Sequence, residues 1–129
     1  MPYHRRRVLC AEPHEDTCHL LTVLLEEQGL EVVAASSVRE CLDLVSQNQF
    51  DLYMLDDDYI DGSGIELCRQ LRAETPRTPI LIFSAQAFLR DRQRALEAGA
   101  HGYFIKPGDI FEIVQAVNSI LAPREAKRP

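Results

Sequence analysis

The sequence predicts an α/β domain in which helices cover both faces of a doubly wound, five-stranded parallel sheet. Five short apolar runs alternate with five amphipathic stretches along the chain, as expected for repeated βα units. The runs are apolar throughout, which is typical of strands buried on both faces. A chain of 129 residues offers room for one hydrophobic core. We therefore expect a single domain over residues 1–122, followed by a polar tail or linker at residues 123–129.

Each element follows from its local pattern, in chain order. The apolar runs predict strands at residues 8–11, 31–35, 52–55, 80–83 and 103–105. Apolar residues at helical spacing predict helices that include residues 20–25, 41–45, 65–71, 89–98 and 110–121. Capping boxes at 37–40 and 63–66 open the second and third helices, and Gly29 and Gly99 end the first and fourth. Parallel strands joined by right-handed helical crossovers are the expected arrangement.

Charge and composition exclude several classes of protein. Acidic residues outnumber basic ones 20 to 14, for a net charge of −6, so we expect no direct nucleic-acid partner. No apolar run approaches the roughly 20 residues of a membrane helix, and residues 1–7 do not resemble a secretory signal. The four cysteines lack metal-ligand spacing and each lies in an apolar stretch, which predicts buried free thiols. No membrane association and a cytoplasmic location are the resulting expectations.

Polar residues follow four of the predicted strands at their carboxyl ends, where sheets of this type bind ligands. These residues are Glu12, Asp56 with Asp57 and Asp58, Ser84, and Lys106. In the flavodoxin-like strand order 2-1-3-4-5 the first and third strands are neighbours, so Glu12 and Asp56 share one edge. Carboxylates hold Mg²⁺ or act as nucleophiles, while an ammonium and a hydroxyl neutralise phosphoryl oxygens. The set therefore predicts a phosphoryl-transfer site.

Three segments carry a family resemblance. Residues 51–56 with Gly62 and Gly64 resemble a phosphoacceptor segment, residues 84–100 a switch-hydroxyl segment with its following helix, and residues 103–107 a lysine segment with an aromatic switch residue. With these segments, the chain resembles the receiver domain of the two-component response regulators over residues 7–121. The resemblance implies a phosphoacceptor domain rather than an enzyme, with at most self-phosphorylation from small donors and self-dephosphorylation.

The same resemblance implies how the phosphoryl group and a metal ion are bound. Asp56 would accept the phosphoryl group from a sensor histidine kinase or a phosphotransfer protein. Mg²⁺ would be held by Glu12, Asp56 and the backbone carbonyl of Asp58. In this family the bond that corresponds to Lys106–Pro107 is often cis, and X-Pro bonds tolerate that isomer.

The resemblance also implies that binding of the phosphoryl group changes the conformation of the domain. Ser84 and Lys106 would bind the phosphoryl group, and Tyr103 would turn inward as Ser84 moves. Asp58 and Gln86, each two residues beyond a site residue, would tune dephosphorylation. A homodimer partner or an effector would contact the face made by the fourth helix, the fifth strand and the fifth helix.

One position departs from the family pattern. The first strand of a receiver normally ends in two adjacent acidic residues, whereas Glu12 is followed here by Pro13. Mg²⁺ requires near-octahedral oxygen coordination, so the loss of one anionic ligand predicts weak Mg²⁺ binding unless water or another acid replaces it. The neighbouring candidates are Asp57, Asp58, His14 and Glu15. Of these, His14 offers a nitrogen, which suits softer metals better.

Two other functions stay open at this point. Pro13 favours a receiver-like module that signals by protein contacts without phosphorylation. The pattern Asp56-x-Asp58 is similar to that of haloacid-dehalogenase-type phosphatases, although the chain lacks the substrate-binding insertion expected after the nucleophile. A flavin-binding flavodoxin is excluded because the acidic segment 12–15 would repel a phosphate group. Turnover of a generic phosphomonoester would separate a phosphatase from a receiver.

Overall fold

A parallel sheet of five strands forms the centre of the protein in the computed structural model, which describes residues 5–122. The strands are β1 (Arg7–Ala11), β2 (Glu31–Ala35), β3 (Leu52–Leu55), β4 (Asp58–Tyr59), β5 (Gly62–Ser63), β6 (Ile80–Ser84) and β7 (Gly102–Ile105). The helices are α1 (Glu15–Glu27), α2 (Val38–Gln47), α3 (Gly64–Glu74), α4 (Leu89–Glu97) and α5 (Ile110–Ile120). The large sheet has the order β2-β1-β3-β6-β7, with all neighbours parallel. The predicted fold class is confirmed, with β6 and β7 as the fourth and fifth strands of the sheet.

Two apolar layers flank the sheet. Leu9 and Ala11 of β1 face the layer covered by α2, α3 and α4. Val8 and Cys10 face the layer covered by α1 and α5. Successive strand residues point to opposite faces, so a run that is apolar throughout requires helices on both sides. All four side chains are fully buried, which fixes the position of the residue that follows them, Glu12.

The antiparallel pair β4–β5 is not predicted by the sequence pattern, because each strand has only two residues. It lies between the end of β3 and the start of α3, beside the polar residues that follow β3. In the turn between its strands, the Asp61 carboxylate accepts hydrogen bonds from the backbone amides of Arg39 (3.0 Å) and Val38 (2.9 Å). These bonds lower the pKa of Asp61 and tie the hairpin to the start of α2.

The starts of α2 and α3 follow the predicted signals with one difference. Ser37 and Ser63 are the N-caps, and their hydroxyls accept hydrogen bonds from the amides of Glu40 and Glu66. A full capping box also has the glutamate side chain accept a hydrogen bond from the amide of the N-cap serine, and neither Glu40 nor Glu66 makes that bond. Glu40 accepts a bond from the amide before its cap, and Glu66 pairs with Arg69. The serine hydroxyls therefore cap these helices without the glutamates.

Two glycines end helices as predicted. Gly29 follows α1 with a φ of +85°, and Gly99 follows α4 with a φ of +113°. This left-handed conformation favours glycine and lets the chain leave the helix at once. The next strand therefore begins only a few residues further on in both cases.

The prediction that every cysteine is buried is wrong for one of the four. Cys10, Cys41 and Cys68 are buried, whereas Cys18 is partly exposed on α1. Its position at the margin of the apolar layer under α1 and α5 explains the difference, because only the central positions of an amphipathic helix are fully covered. All four are free thiols.

Two further expectations concern the membrane and the termini. Within residues 5–122, every helix is too short or too polar to cross a membrane. The predicted tail at residues 123–129 lies outside the described residues, as do residues 1–4.

Candidate functional site

Three strands deliver charged side chains to one point at the carboxyl edge of the sheet. Glu12 follows β1, Asp56 follows β3 and Lys106 follows β7. The Lys106 Nζ lies 2.7 Å from Asp56 Oδ1 and 2.9 Å from Glu12 Oε1. The side chains are only 12% exposed for Lys106, 4% for Glu12 and 3% for Asp56. The edge therefore holds two buried carboxylates bridged by one ammonium. The peptide bond after Lys106, to Pro107, is cis.

The charges of this cluster shift two pKa values. Burial raises the pKa of Asp56, the hydrogen bond from Lys106 opposes the rise, and the charge of Glu12 adds to it. Burial by itself would lower the pKa of Lys106, but its hydrogen bonds to Asp56 and Glu12 outweigh that effect and raise it. Lys106 therefore stays protonated at neutral pH and compensates one of the two carboxylate charges.

His14 also belongs to this cluster. Its Nδ1 lies 2.8 Å from Glu12 Oε2 and 3.3 Å from Lys106 Nζ. One donor atom each from Glu12, His14 and Asp56 lies within 4.8 Å of the other two, the spacing of a potential metal site. Pro13, between them in sequence, contributes no carboxylate. Of the neighbouring candidates, His14 is the one whose side chain joins Glu12 and Asp56 in this group.

The acidic residues after Asp56 are placed differently from Asp56 itself. Asp57 is partly exposed, and its carbonyl accepts a hydrogen bond from the Gly64 amide at 2.9 Å. The side chain of Asp58 is exposed, while its backbone amide donates to Asp56 Oδ2 at 3.4 Å. The backbone of Asp58 thus lies beside the Asp56 carboxylate, where the resemblance places a metal-binding carbonyl.

Ser84, Gln86 and Tyr103 are connected through the loop after β6. Ser84 is fully buried, and its hydroxyl accepts a hydrogen bond from the Gln86 amide at 2.9 Å. The Tyr103 hydroxyl donates to the Gln86 carbonyl at 2.7 Å. Within residues 5–122, neither Ser84 nor Tyr103 hydrogen-bonds Asp56. The structure therefore joins the predicted switch residues to one loop residue, Gln86, and Tyr103 is 92% buried.

Tyr59 is a site residue that the sequence did not single out. Its hydroxyl donates to the carbonyl of Ala11 at 2.6 Å and accepts from the amide of Asp56 at 2.8 Å. Burial raises the pKa of Tyr59, so the hydroxyl keeps its proton. One side chain thus ties the end of β1 to the end of β3. An aromatic residue in a loop that contains four aspartates was the available signal, although it carries no information about its two partners.

We expect Tyr59→Phe to lower the free energy of unfolding by about 1–3 kcal/mol, because the Ala11 carbonyl and the Asp56 amide lose a buried partner. Urea unfolding measures this change. Tyr53→Phe is the matched control, since within residues 5–122 the Tyr53 hydroxyl bonds only the Thr75 side chain, at a partly buried position. Equal losses in the two variants would contradict a special role for Tyr59.

The sheet order, with a carboxylate after β1 and after β3 and a lysine after β7, defines a doubly wound domain of the receiver type. The chain belongs to the response regulator receiver domain family, whose sequence model matches residues 8–118. It is a receiver domain of the two-component systems.

Similar proteins include several full-length regulators. The response regulator protein PilR of Pseudomonas aeruginosa is 30% identical over 120 residues, which cover 93% of this chain and 27% of PilR. The alkaline phosphatase synthesis transcriptional regulatory protein PhoP of Bacillus subtilis is 33% identical, over 96% of this chain and 52% of PhoP. The chain thus spans about a quarter to a half of the length of these curated relatives.

Solved structures are similar over nearly the whole chain. A two-component response regulator from Clostridium difficile has a TM-score of 0.87 at 27% identity, with 96% of this chain and 100% of that chain covered. The non-phosphorylated HemR receiver domain from Leptospira biflexa has a TM-score of 0.84 at 29% identity, with 97% and 98% covered. The fold is therefore that of isolated receiver domains.

Proposed function

We propose that this receiver domain is a phosphorylation-controlled switch, in which Asp56 accepts a phosphoryl group from a sensor histidine kinase or a phosphotransfer protein. The observation that carries the proposal is the buried Asp56 carboxylate held 2.7 Å from the Lys106 ammonium at the carboxyl edge of the sheet. An oxygen of Asp56 attacks the phosphorus, the bond from phosphorus to the donor's histidine nitrogen breaks, and an acyl phosphate forms. Lys106 is placed to pair with a phosphoryl oxygen. The proposed compartment is the cytoplasm.

Mg²⁺ fits the residues at this edge. The ion is commonly bound through one or two carboxylates and several waters, and Glu12 and Asp56 present two carboxylates at one point. Together with the Asp58 carbonyl they would hold the ion, which when bound supplies positive charge to the phosphoryl oxygens. Pro13 removes the third carboxylate, so we expect weak binding. A cation held by the two carboxylates would compete with Lys106 for them, and Lys106 would then be available to the phosphoryl group.

The proposed output is a change of the face made by α4, β7 and α5. Ser84 contacts the amide of Gln86 and Tyr103 its carbonyl, so a movement of Ser84 toward a phosphoryl group would shift the residue that Tyr103 binds. Phe88, Leu89 and Phe111 are exposed on this face, and exposed apolar surface of this kind supports a protein partner there. A second copy or an effector is the proposed partner there. Asp58 and Gln86 are proposed to tune dephosphorylation, because both border the reacting carboxylate or its switch loop.

We expect wild-type protein to gain the mass of one phosphoryl group after incubation with acetyl phosphate and Mg²⁺, and Asp56→Asn to gain none. The nucleophilic carboxylate is lost in the variant, whereas its shape is kept. Intact-mass spectrometry measures the adduct. Asp57→Asn and Asp58→Asn are matched controls, because both keep Asp56 and should keep the label. A label that survives in Asp56→Asn would place the acceptor elsewhere.

We expect Ser84→Ala to keep the phosphoryl label but to reduce the response of α4 to it. The measurement is the change in amide chemical shifts over residues 85–94 on adding beryllofluoride, a mimic of the acyl phosphate. Ser84→Thr keeps the hydroxyl, and with it the acceptor for the Gln86 amide, and serves as the control. Equal shift changes in wild type and Ser84→Ala would remove the hydroxyl from the switch.

Pro13 favours one second candidate function, a receiver that signals by protein contacts alone. This function would be indicated if the wild-type protein were not labelled by acetyl phosphate and did not bind beryllofluoride at millimolar Mg²⁺. A phosphatase would instead turn over a generic phosphomonoester continuously, whereas a receiver stops at one label per chain.

A further inference from the structure

A histidine nitrogen lies beside Glu12 and Asp56, at the edge of the sheet proposed to bind Mg²⁺. Pro13 removes the acid that normally follows Glu12, and the ring of the next residue, His14, lies against the same carboxylate. Glu12, His14 and Asp56 each place one donor atom within 4.8 Å of the other two. The donor set is therefore one nitrogen and two carboxylate oxygens.

The local backbone explains why the ring faces the acids. His14 is the N-cap of α1 in an extended conformation (φ −88°, ψ 114°), and its side chain makes no capping hydrogen bond. Its amide donates to Glu12 Oε2 at 3.0 Å, and its Nδ1 lies 2.8 Å from the same oxygen. The helix therefore does not use this ring, and among the described residues 5–122 its polar partners are Glu12 and Lys106 of the charged cluster.

The geometry points to a dication site in which Glu12, His14 and Asp56 bind a first-row transition metal such as Co²⁺ in preference to Mg²⁺. Imidazole suits transition metals, whereas Mg²⁺ prefers oxygen ligands and waters. Two carboxylates face one ammonium, so the cluster has one net negative charge and attracts any dication. The nitrogen then decides which dication binds best. The inference shares Glu12 and Asp56 with the proposed function but does not require phosphorylation.

The variant Lys106→Met separates the effect of the cluster's charge on metal affinity from the effect of the type of ligand atom. The Lys106 ammonium contacts both carboxylates and lies 3.3 Å from His14 Nδ1, so it occupies the place that a metal ion needs. Lys106→Met should therefore raise the affinity for Mg²⁺ and for Co²⁺ by a similar factor. A change in the ratio of the two affinities is expected only when the set of ligand atoms itself changes, by loss of the nitrogen or by gain of a carboxylate.

Calorimetry with Mg²⁺ and with Co²⁺, on the full chain without phosphodonor, tests the inference. We expect His14→Ala to weaken Co²⁺ binding about tenfold or more, since even the loss of an outer partner of a metal ligand costs that much. Mg²⁺ affinity should stay nearly unchanged, and Pro13→Asp should strengthen Mg²⁺ binding relative to Co²⁺. His19→Ala is the matched control, because His19 is an exposed histidine of α1 outside the cluster. Circular dichroism checks that each variant is folded.

Pulsed electron paramagnetic resonance of bound Mn²⁺ gives a second, direct readout. We expect a ¹⁴N coupling from a histidine ring in wild type and in His19→Ala, and none in His14→Ala. A coupling that persists in His14→Ala, or an equal loss of Co²⁺ and Mg²⁺ affinity in that variant, would overturn the inference. Either result leaves the labelling of Asp56 unaffected, so failure of this inference and failure of the proposed function are distinguishable.

Discussion

Gly64→Ala is expected to lower the free energy of unfolding by about 3 kcal/mol, at the upper end of the range for overpacking. A Cβ at this position would lie 2.0 Å from the backbone oxygen of Asp56 and 2.9 Å from the Cα of Asp57. Both are backbone atoms, so a side-chain rotation cannot relieve the clash. The start of α3 and the end of β3 must separate, which also moves the proposed phosphoacceptor.

The measurement is urea unfolding, with Gly108→Ala as the control. A Cβ on Gly108 would meet nothing within 4 Å, so that variant should stay within about 0.5 kcal/mol of wild type. We also expect slower labelling of Asp56 by acetyl phosphate in Gly64→Ala than in Gly108→Ala. Two glycine variants of equal stability would contradict the close approach of α3 to β3.

Lys106→Met is expected to cost about 3–5 kcal/mol at neutral pH, the usual penalty for leaving a buried charge without its partner. The variant keeps most of the aliphatic length but removes the ammonium that lies between Glu12 and Asp56. Urea unfolding in the presence of a chelator measures the loss, because a bound dication would replace the missing charge. Arg69→Met is the control, since the Arg69–Glu66 pair is exposed and should contribute less than about 1 kcal/mol.

The pH dependence of this variant identifies the cause. The pKa of Asp56 in the folded protein is raised above its ordinary 3.8, so the folded state binds this proton more readily than the unfolded state. Stability therefore falls as pH rises between the ordinary and the raised value. Burial and the charge of Glu12 raise the pKa of Asp56, and Lys106 opposes that rise. Without Lys106 the pKa is higher still, so the pH range over which stability falls extends further toward neutral pH.

We accordingly expect part of the Lys106→Met deficit to disappear when the pH is lowered from about 7 to about 5. Protonation then removes the uncompensated charge. A deficit that does not change with pH would show that lost packing, rather than charge, destabilises the variant.

Local pattern was sufficient for the five strands of the large sheet, the five helices and the edge at which the site lies. Strands such as β1 are apolar throughout, and that pattern has few explanations other than burial between two helical layers. Parallel strands place their carboxyl ends together, so Glu12, Asp56 and Lys106 could be assigned to one edge before any distance was known. Element ends differ by one or two residues, because helix and strand ends are set by individual hydrogen bonds.

The contacts inside the site depend on pairs that are distant in sequence. Tyr59 binds the carbonyl of Ala11, which lies 48 residues earlier, and Lys106 binds Glu12 across 94 residues. No local pattern encodes such a pair, because each direction is set by the packing of both elements. The β4–β5 hairpin was missed for a related reason, since two-residue strands have no periodicity.

The fold class, the family resemblance, the edge that holds the charged residues and the missing carboxylate at Pro13 can all be read from the residue pattern. The side chain that lies beside Glu12 depends on the folded backbone. Asp57, Asp58, Glu15 and His14 were all candidates along the chain. The extended backbone at the start of α1 turns the histidine ring onto Glu12 and toward Lys106. Residue types follow from sequence, but the direction of a side chain follows from the backbone that carries it and from the charges it meets.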